Sequence, residues 1–270
     1  MGRSRRVAAK SVISAASLCV AVALPGCSRS SPGADPPASA TASARSATHS
    51  AGHSPKAAGA SFTVAGNHPV APNGSQDTTA QAASACDSAT LASDHALGLR
   101  VARGFALTGL PVGAELLRHF ILGTGTGVAY RAGTAISRKA LASSAFQAVN
   151  SKVQAEVLGQ LKAGRTHVRL SAAQLPTVAF ESRTSDLYWG FRGTQGLTVT
   201  GGGHRAHGRY TGTLSYVIRD SYGFPVGDTL DGFGPPMRYL QTACGAPQHQ
   251  GGARWFPDTI TVTVPFSQPA

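Results

Sequence analysis

Tyr210-Thr-Gly-Thr-Leu-Ser-Tyr-Val-Ile218 is the stretch of sequence that decides the fold. Apolar side chains and one glycine alternate in it with Thr, Ser and Val. Because successive side chains of a β-strand point to opposite faces, this period of two predicts a strand with one buried face. The predicted inward residues are Tyr210, Gly212, Leu214, Tyr216 and Ile218, and the outward ones are Thr211, Thr213, Ser215 and Val217.

Shorter runs with the same period lie on either side of this strand. Two of them precede it. Apolar residues stand at alternate positions in each, Val168 and Leu170 in the first and Leu197 and Val199 in the second. The last run turns one set of side chains inward, Ile260, Val262, Val264 and Phe266, and alternates them with Thr259, Thr261 and Thr263. Residues 201–208 lie between two runs and are rich in glycine, so they predict a hairpin loop.

A period near 3.6 residues precedes the strands and predicts helices. One helix is predicted over residues 112–121, after Pro111, and Gly123 stops the run; its apolar face consists of Val112, Leu116, Phe120 and Ile121. Ser137 is the predicted cap of a longer helical stretch that ends before Gly164, with a candidate break near Asn150. Its inward residues are Leu141, Ala145, Ala148, Val149, Val157 and Leu161. Helices first and strands afterwards predict an α+β fold with an antiparallel sheet.

The composition excludes two classes of protein. Gly and Pro together number 48 of 270 residues and 13% of residues are charged, which excludes a coiled coil and disfavours a helical bundle. After residue 30 no apolar run reaches the roughly 18 residues of a transmembrane helix, so a polytopic membrane protein is also excluded.

The N-terminus has the pattern of an export signal. Arg3, Arg5, Arg6 and Lys10 precede fourteen small and apolar residues that end at Leu24. This core is too short to span a membrane and has the length of a signal-peptide core. Leu24-Pro-Gly-Cys27 resembles the lipobox of bacterial lipoproteins, which implies removal of residues 1–26 and acylation of Cys27. The alternative is that Cys27 is an ordinary cysteine.

Two export routes remain open. Ser4-Arg5-Arg6 with Lys10 resembles the twin-arginine pattern, and the general secretory route is the alternative. Removal of the signal leaves 20 basic and 12 acidic residues. The resemblance implies a lipid-anchored protein at the extracytoplasmic face of the cell membrane.

Residues 27–81 predict the acylated cysteine and a disordered tether. Ser, Ala, Thr, Pro and Gly dominate there, and Phe62, Val64 and Val70 are the large apolar exceptions. So few apolar side chains do not bury enough surface to offset the entropy of ordering. Residues 82–270 carry nearly all the large apolar side chains and predict a single domain.

The cysteines agree with export. Cys19 leaves with the signal and Cys27 takes the lipid, so Cys86 and Cys244 are the pair left in the domain. Outside the cytoplasm such a pair predicts a disulfide, with two separate buried thiols as the alternative.

The charge predicts a class of partner. Residues 82–270 contain 17 basic and 10 acidic residues, and no nucleic-acid motif accompanies them. Attraction to an anionic cell-wall component or to lipid head groups is the natural use of this charge, and nucleic acid is not expected. Simple solubility explains it equally well.

Several glycine, histidine and serine patterns favour no particular chemistry. Residues 123–127 are glycine-rich but lack the Lys and hydroxyl of a phosphate-binding loop, so they predict a turn. His204 and His207, with His249 near Cys244, do not make a zinc site without a fixed frame and are predicted to be exposed loop histidines. No GxSxG elbow supports a serine hydrolase.

One group of aspartates remains as a candidate site. Asp220 closes the deciding strand, and Asp228 and Asp231 follow it. Carboxylates at the end of a strand hold divalent cations in many sites, where the metal neutralises phosphate charge and orients water. Their ordinary role is turn-making, and both interpretations stay open.

The segment from Gly208 to Phe224, preceded by the helix and glycine turn of residues 118–125, resembles colicin M-type bacteriocin domains. Those domains cleave the lipid-linked peptidoglycan precursor at its pyrophosphate and depend on a divalent metal. The Asp-x-Tyr-Asp signature of the family is matched by Asp220 and Tyr222 alone, because Gly223 stands where the second aspartate belongs. Thr229 and Leu230 occupy the neighbourhood of its His-Arg pair. The resemblance implies a shared scaffold with an incomplete catalytic signature.

The sequence therefore predicts an exported, lipid-anchored envelope protein that binds or supports an envelope component and uses no cofactor. The alternative is a colicin M-like phosphodiesterase that uses Mg²⁺. In that case Asp220 is metal ligand or base, Tyr222 belongs to the signature, and Asp228 or Asp231 supplies the missing carboxylate.

Overall fold

The computed structural model describes residues 60–69, 86–192, 196–224, 232–242, 244 and 252–270. A compact unit covers residues 53–270. Its described strands are β1 (Ser61–His68), β2 (Val128–Tyr130), β3 (His167–Leu170), β4 (Gly196–Ala206), β5 (Arg209–Tyr222) and β6 (Phe256–Pro269). Its described helices are α1 (Ser88–Leu107), α2 (Pro111–Ile121), α3 (Ala135–Ala142), α4 (Ser144–Lys162), α5 (Asp186–Phe191) and α6 (Gly234–Thr242). The predicted export signal, Cys27, Asp228 and Asp231 lie outside the described residues.

The six strands form one mixed sheet in the order β2-β6-β5-β4-β1-β3. β4 is antiparallel to β1 and β5, and β5 is antiparallel to β6, but β1 is parallel to β3 and β2 is parallel to β6. The predicted α+β class is confirmed, whereas the prediction of a purely antiparallel sheet after the helices is wrong. Parallel neighbours need a long crossover, which α1 to α4 supply between β1 and β3.

Helices pack against one face of the sheet. Phe146 of α4 meets Tyr216 of β5 edge to face, with ring centroids 5.1 Å apart, and Phe120 of α2 meets Tyr222 at 6.1 Å. The Tyr216 hydroxyl also donates to the Asn150 side chain at 2.8 Å. The alternation predicted for the two longest strands is confirmed, because their inward side chains are buried in this layer.

Strand β1 lies within the segment predicted to be a disordered tether. It pairs with both β3 and β4, and its Phe62 and Val64 are 4% and 3% exposed. The prediction of disorder is therefore wrong for Ser61–His68. Two apolar side chains at alternate positions are enough here, because neighbouring strands on both sides complete the hydrogen bonds.

The Phe62 ring fills space that glycines of other strands leave open. A Cβ on Gly203 would lie 2.8 Å from the tip of the Phe62 ring. The ring makes edge-to-face contacts with Tyr210 and Phe266, at centroid distances of 6.1 and 5.9 Å. β1 is thus part of the core.

β4 and β5 are joined by a two-residue turn. β4 runs to Ala206, and His207 and Gly208 both have positive φ, 51° and 71°. Paired positive φ angles make the hairpin turn whose twist matches the strands. The prediction of a loop over residues 201–208 is therefore wrong for residues 201–206. Glycine is needed in the strand because the chains approach closely there, and a Cβ on Gly203 would lie 2.1 Å from the Thr211 carbonyl oxygen.

The helices follow the predicted pattern in part. α2 begins at Pro111, one residue before the predicted start, and ends at Ile121, as predicted. The single long helix predicted from Ser137 is two helices, because Thr134 caps α3 and Ser143 caps α4. The chain therefore breaks at Ser143, and Asn150 lies inside α4.

The predicted disulfide between Cys86 and Cys244 is present, with Cα atoms 5.0 Å apart. It joins the start of α1 to the chain just after α6, across a sequence separation of 158 residues. The Tyr239 hydroxyl supports the same junction by accepting the Asp87 N–H at 2.8 Å. Closing so long a loop reduces the entropy of the unfolded chain and stabilises the fold by up to about 5 kcal/mol.

Phe62→Ala is expected to lower the free energy of unfolding by about 3–5 kcal/mol, because it empties a filled part of the core. Ser61→Ala, an outward position on the same strand, is the control and should change stability by less than about 0.5 kcal/mol. Urea unfolding of the oxidised mature chain measures both. Equally small effects would contradict the placement of β1 in the core.

Candidate carboxyl site at the end of the sheet

Asp220 and Tyr222 lie on the helix-covered side of β5, near its C-terminal end. They continue the inward positions of the strand and are 6% and 8% exposed. One Asp220 carboxylate oxygen accepts the N–H of Ser221 at 2.8 Å. The turn-making interpretation of Asp220 is wrong, because this residue is paired within the sheet.

A second carboxyl group faces Asp220 on the neighbouring strand. Asp258 of β6 is its register partner, and both residues occupy inward positions. Directly opposite residues of antiparallel strands have Cβ atoms about 4.5–5.5 Å apart. Asp258 is fully buried, and neither of its carboxyl oxygens has a hydrogen-bond partner in the described structure. Such an orphaned group is tolerated far better as a neutral acid than as an anion.

Asp258 holds its proton more tightly than an exposed aspartate does. Burial raises the pKa of Asp258 well above its ordinary value of 3.8, and the neighbouring Asp220 carboxylate raises it further. Two carboxyl groups in such contact lose their protons in separate steps. We call Asp220 and Asp258 the carboxyl pair; burial and the neighbouring carboxylate both favour the neutral form of Asp258.

A half-buried tyrosine, Tyr130, lies between these strands and α2. The Tyr130 hydroxyl of β2 donates to the Glu115 carboxylate at 3.2 Å. Burial is the main cause that raises the pKa of Tyr130, and the nearby carboxylates of Glu115, Asp258 and Asp186 add to it. The tyrosine therefore stays neutral and acts as a hydrogen-bond donor.

Asp186 connects three helices. It is fully buried at the start of α5, and one carboxylate oxygen lies 2.5 Å from Lys139 Nζ of α3. The other oxygen accepts the N–H groups of Val112 and Gly113, at 3.1 and 3.2 Å, at the start of α2. Because each oxygen has partners, Asp186 has a structural role that differs from that of Asp258.

The structure brings together only part of the predicted site. Asp220 and Tyr222 share the inward face, while Asp228, Asp231 and His249 lie outside the described residues. Within the described ranges, no group of three or more His, Cys, Asp or Glu side chains is placed to hold a metal ion. What the arrangement does provide is a buried Asp258 carboxyl without a hydrogen-bond partner, opposite Asp220 on the neighbouring strand.

The sequence patterns do not single out Asp258, although a signal for it exists. Asp258 stands two residues before Ile260, so the period of two in the last strand turns it inward. A carboxylate at an inward position of a predicted strand is therefore the sequence signal that could have identified Asp258.

The histidines of the HxxH pattern do not converge. His204 is an outward residue of β4, so the prediction that it lies in a loop is wrong, whereas His207 lies in the turn. Both side chains are exposed.

The glycine-rich segment 123–127 connects α2 to β2; it begins in a turn at Gly123, as predicted, and continues as irregular chain. A Cβ on Gly123 would lie 2.2 Å from the Gly252 carbonyl oxygen, so glycine permits close packing against the chain before β6. The Nε2 atom of His119 donates to the Thr126 carbonyl oxygen at 2.7 Å. These contacts give the segment a packing role.

A cavity of about 400 Å³ opens at the starts of α4 and α5. Its lining includes Ser143, Ser182 and Ser185 but none of the predicted site residues. The Ser143 and Ser185 hydroxyls each accept a backbone N–H of their helix, and the Ser182 hydroxyl lies 3.0 Å from that of Thr184. Helix capping and a local hydroxyl contact therefore explain the positions of these serines.

Comparison with family models, with curated proteins and with solved structures finds no match to this chain. No described helix combines the length and the apolar character needed to cross a membrane. The function is therefore argued from the residues themselves.

Asp258→Asn is expected to raise the free energy of unfolding near pH 8 and to change it little near pH 4. The folded chain holds the Asp258 proton more tightly than the unfolded chain, so wild-type stability falls as pH rises from 3.8 toward the raised folded pKa. The slope in that window is up to about 1.4 kcal/mol per pH unit. The amide does not ionise and removes this decline.

Urea unfolding between about pH 4 and pH 8 measures the effect. Glu181→Gln, which removes an exposed carboxylate, is the control and should keep the wild-type slope. An Asp258→Asn profile parallel to that of the wild type would show that Asp258 is ionised in the folded protein.

Proposed function

We propose that the chain is an exported lipoprotein, anchored through acylated Cys27 at the extracytoplasmic face of the cell membrane. Its domain serves as a module that binds or supports a component of the envelope. The single observation that carries the proposal is the disulfide between Cys86 and Cys244. Disulfides persist in oxidising compartments and are rare in the cytosol, which agrees with the export pattern of residues 1–26.

The lipid supplies the anchor in this proposal. Each methylene buried in the membrane contributes about 0.8 kcal/mol, and a single acyl chain binds reversibly. A lipoprotein cysteine that carries two or three acyl chains, palmitate among them, stays bound. The net charge of +8 on the mature chain adds attraction to anionic envelope surfaces.

The burial of the carboxyl pair supports binding over catalysis. Asp220 and Tyr222 are 6% and 8% exposed, and Asp258 is fully buried. A catalytic group must come within hydrogen-bond reach of its substrate. These residues contact core side chains. The resemblance of Asp220 and Tyr222 to the colicin M-type signature therefore supports a shared scaffold.

Cys27→Ala is expected to abolish palmitate labelling and to move the protein from the membrane fraction to the soluble extracytoplasmic fraction. Cys19→Ala is the matched control, because that residue leaves with the signal and the variant should stay labelled and membrane-bound. Labelling and fractionation in the producing cell measure both. A labelled, membrane-bound Cys27→Ala protein would contradict the proposed anchor.

A second candidate function is metal-dependent cleavage of a lipid-linked peptidoglycan precursor. The observation that favours it is the unpartnered carboxyl of Asp258 opposite Asp220, since Mg²⁺ is often held by one or two carboxylates together with substrate phosphates. For this function the end of the sheet would have to open and admit both metal and substrate.

The oxidised mature chain with Mg²⁺ is expected to release no more pyrophosphate-bearing fragment from the lipid-linked precursor than Asp220→Ala does. Product analysis of matched incubations, with and without a chelator, measures the release. Release by the wild type that disappears both in Asp220→Ala and with the chelator would establish the enzyme and replace the binding proposal.

A further inference from the structure

The face of the sheet opposite the helices carries a dense array of hydroxyl groups. We call this surface, formed by the outward residues of the six strands, the threonine face. Its exposed members include Thr63, Thr200, Thr211, Thr213 and Thr263. The register makes the array continuous, because Thr200 lies beside Ser215 and Ser215 beside Thr263.

The threonine face is positively charged. Arg169 of β3 and both Arg209 and Arg219 of β5 occupy outward positions, and His167 and His204 lie on the same side. The two aspartates of the described strands, Asp220 and Asp258, both point inward. The face therefore carries cations and, among the described residues, no carboxylate.

Hydroxyl and amide groups, rather than carboxylates, position two of these arginines. Arg219 donates to the Thr198 hydroxyl, which donates to the Asn67 side chain at 2.7 Å. Arg209 donates to the Ser267 hydroxyl through Nε and Nη2, at 3.3 and 3.2 Å. No ion pair of the described residues includes Arg169, Arg209 or Arg219, so their charge is left for an external partner.

The geometry points to a site for an extended anionic polymer. We propose that the threonine face binds a wall polymer whose repeating unit carries a phosphodiester and free hydroxyls. Arginine forms paired hydrogen bonds with phosphate oxygens, and threonine hydroxyls both donate to and accept from polyol hydroxyls. This inference rests on the proposed envelope location and names the chemistry of the partner.

The dimensions of the face suit a polymer strand. Arg209 and Arg219 are ten residues apart on β5, which corresponds to about 34 Å at about 3.4 Å per residue. Arg169 lies three strands away from β5, at about 4.8 Å per strand. Charges spaced this widely match a repeating polyanion better than a single small anion.

The composition of the face disfavours other occupants. A protein interface has an apolar core that is rich in aromatic residues, and a membrane-binding surface inserts Trp, Phe or Leu. The outward positions of the described strands hold no aromatic residue or leucine. Hydroxyls and cations remain as the means of recognition.

The test is titration of the oxidised mature chain with poly(glycerol phosphate) at low salt. The variant Arg169→Gln/Arg209→Gln/Arg219→Gln is expected to bind at least about tenfold more weakly, because it removes the charge-assisted contacts. The control Arg100→Gln/Arg103→Gln/Arg118→Gln removes the same charge from exposed positions on α1 and α2 and should bind like the wild type. A second variant, Thr200→Val/Thr213→Val, keeps every charge, and it should weaken binding by a smaller factor.

Several outcomes would overturn the inference. Equal weakening in the control would reduce the effect to net charge, and equal binding of neutral dextran would remove the role of phosphate. Binding of phosphatidylglycerol vesicles but not of the polymer would make the partner a membrane. Urea unfolding of each variant separates lost binding from lost folding.

The two proposals fail separately. If the Cys27→Ala experiment confirms the anchor but the polymer does not bind, only the assignment of the threonine face is overturned. If the protein is neither labelled nor membrane-bound, the envelope location itself fails, whatever the polymer does.

Discussion

One-sided burial of the sheet is the constraint on which the rest of the structure depends. Helices cover the inward face, and strict alternation in β4, β5 and β6 sends every second side chain into that layer. A shift of one residue in the pairing of β5 with β6 would exchange the two faces. Leu214 and Tyr216 would then meet water, and threonines would enter the core. The register is therefore held by the whole burial pattern rather than by any single contact.

This constraint also explains the two features that depart from an ordinary core. Where β1 pairs with β4, glycines at inward positions of β4 and β5 leave room for the Phe62 ring. At the opposite end of β5 from these glycines, inward positions of β5 and β6 hold Asp220 and Asp258, where apolar residues would pack without penalty. The glycines have an evident packing reason. Asp258 has no hydrogen-bond partner among the described residues, and its burial and the neighbouring Asp220 carboxylate raise its pKa, which favours the neutral acid.

Periodicity predicts the parts of this fold whose apolar residues recur over several turns or pleats. α2, β5 and β6 meet that condition, and their buried faces agree with prediction, although β5 and β6 extend beyond the predicted runs at both ends. β1 was missed because its two apolar side chains lie in a segment whose overall composition suggests disorder. The break between α3 and α4 was missed because Thr134, Ser137 and Ser143 are all residue types that cap helices, and the sequence alone does not show that Thr134 and Ser143 each begin one. Parallel pairing of the edge strands depends on crossovers that no local pattern specifies.

The candidate carboxyl site, too, can be predicted from the sequence only in part. The inward direction of Asp220 follows from the alternation that orients Ile218, but that alternation does not reveal that Asp258 stands opposite, because register is a property of two distant segments.

Catalysis at the carboxyl pair and binding on the outward face would require different changes in this structure. Asp258 is fully buried, so a substrate could reach it only after the packing around it opened and exposed apolar surface, at a cost of about 25 cal/mol per Å². A ligand on the outward face displaces only water. Outward residues are also free to vary, because exposed substitutions change stability by less than about 0.5 kcal/mol in most cases. Threonine is itself a strong strand former, so folding accounts for the hydroxyls, and the proposed ligand is needed to explain only why the face carries cations without a carboxylate.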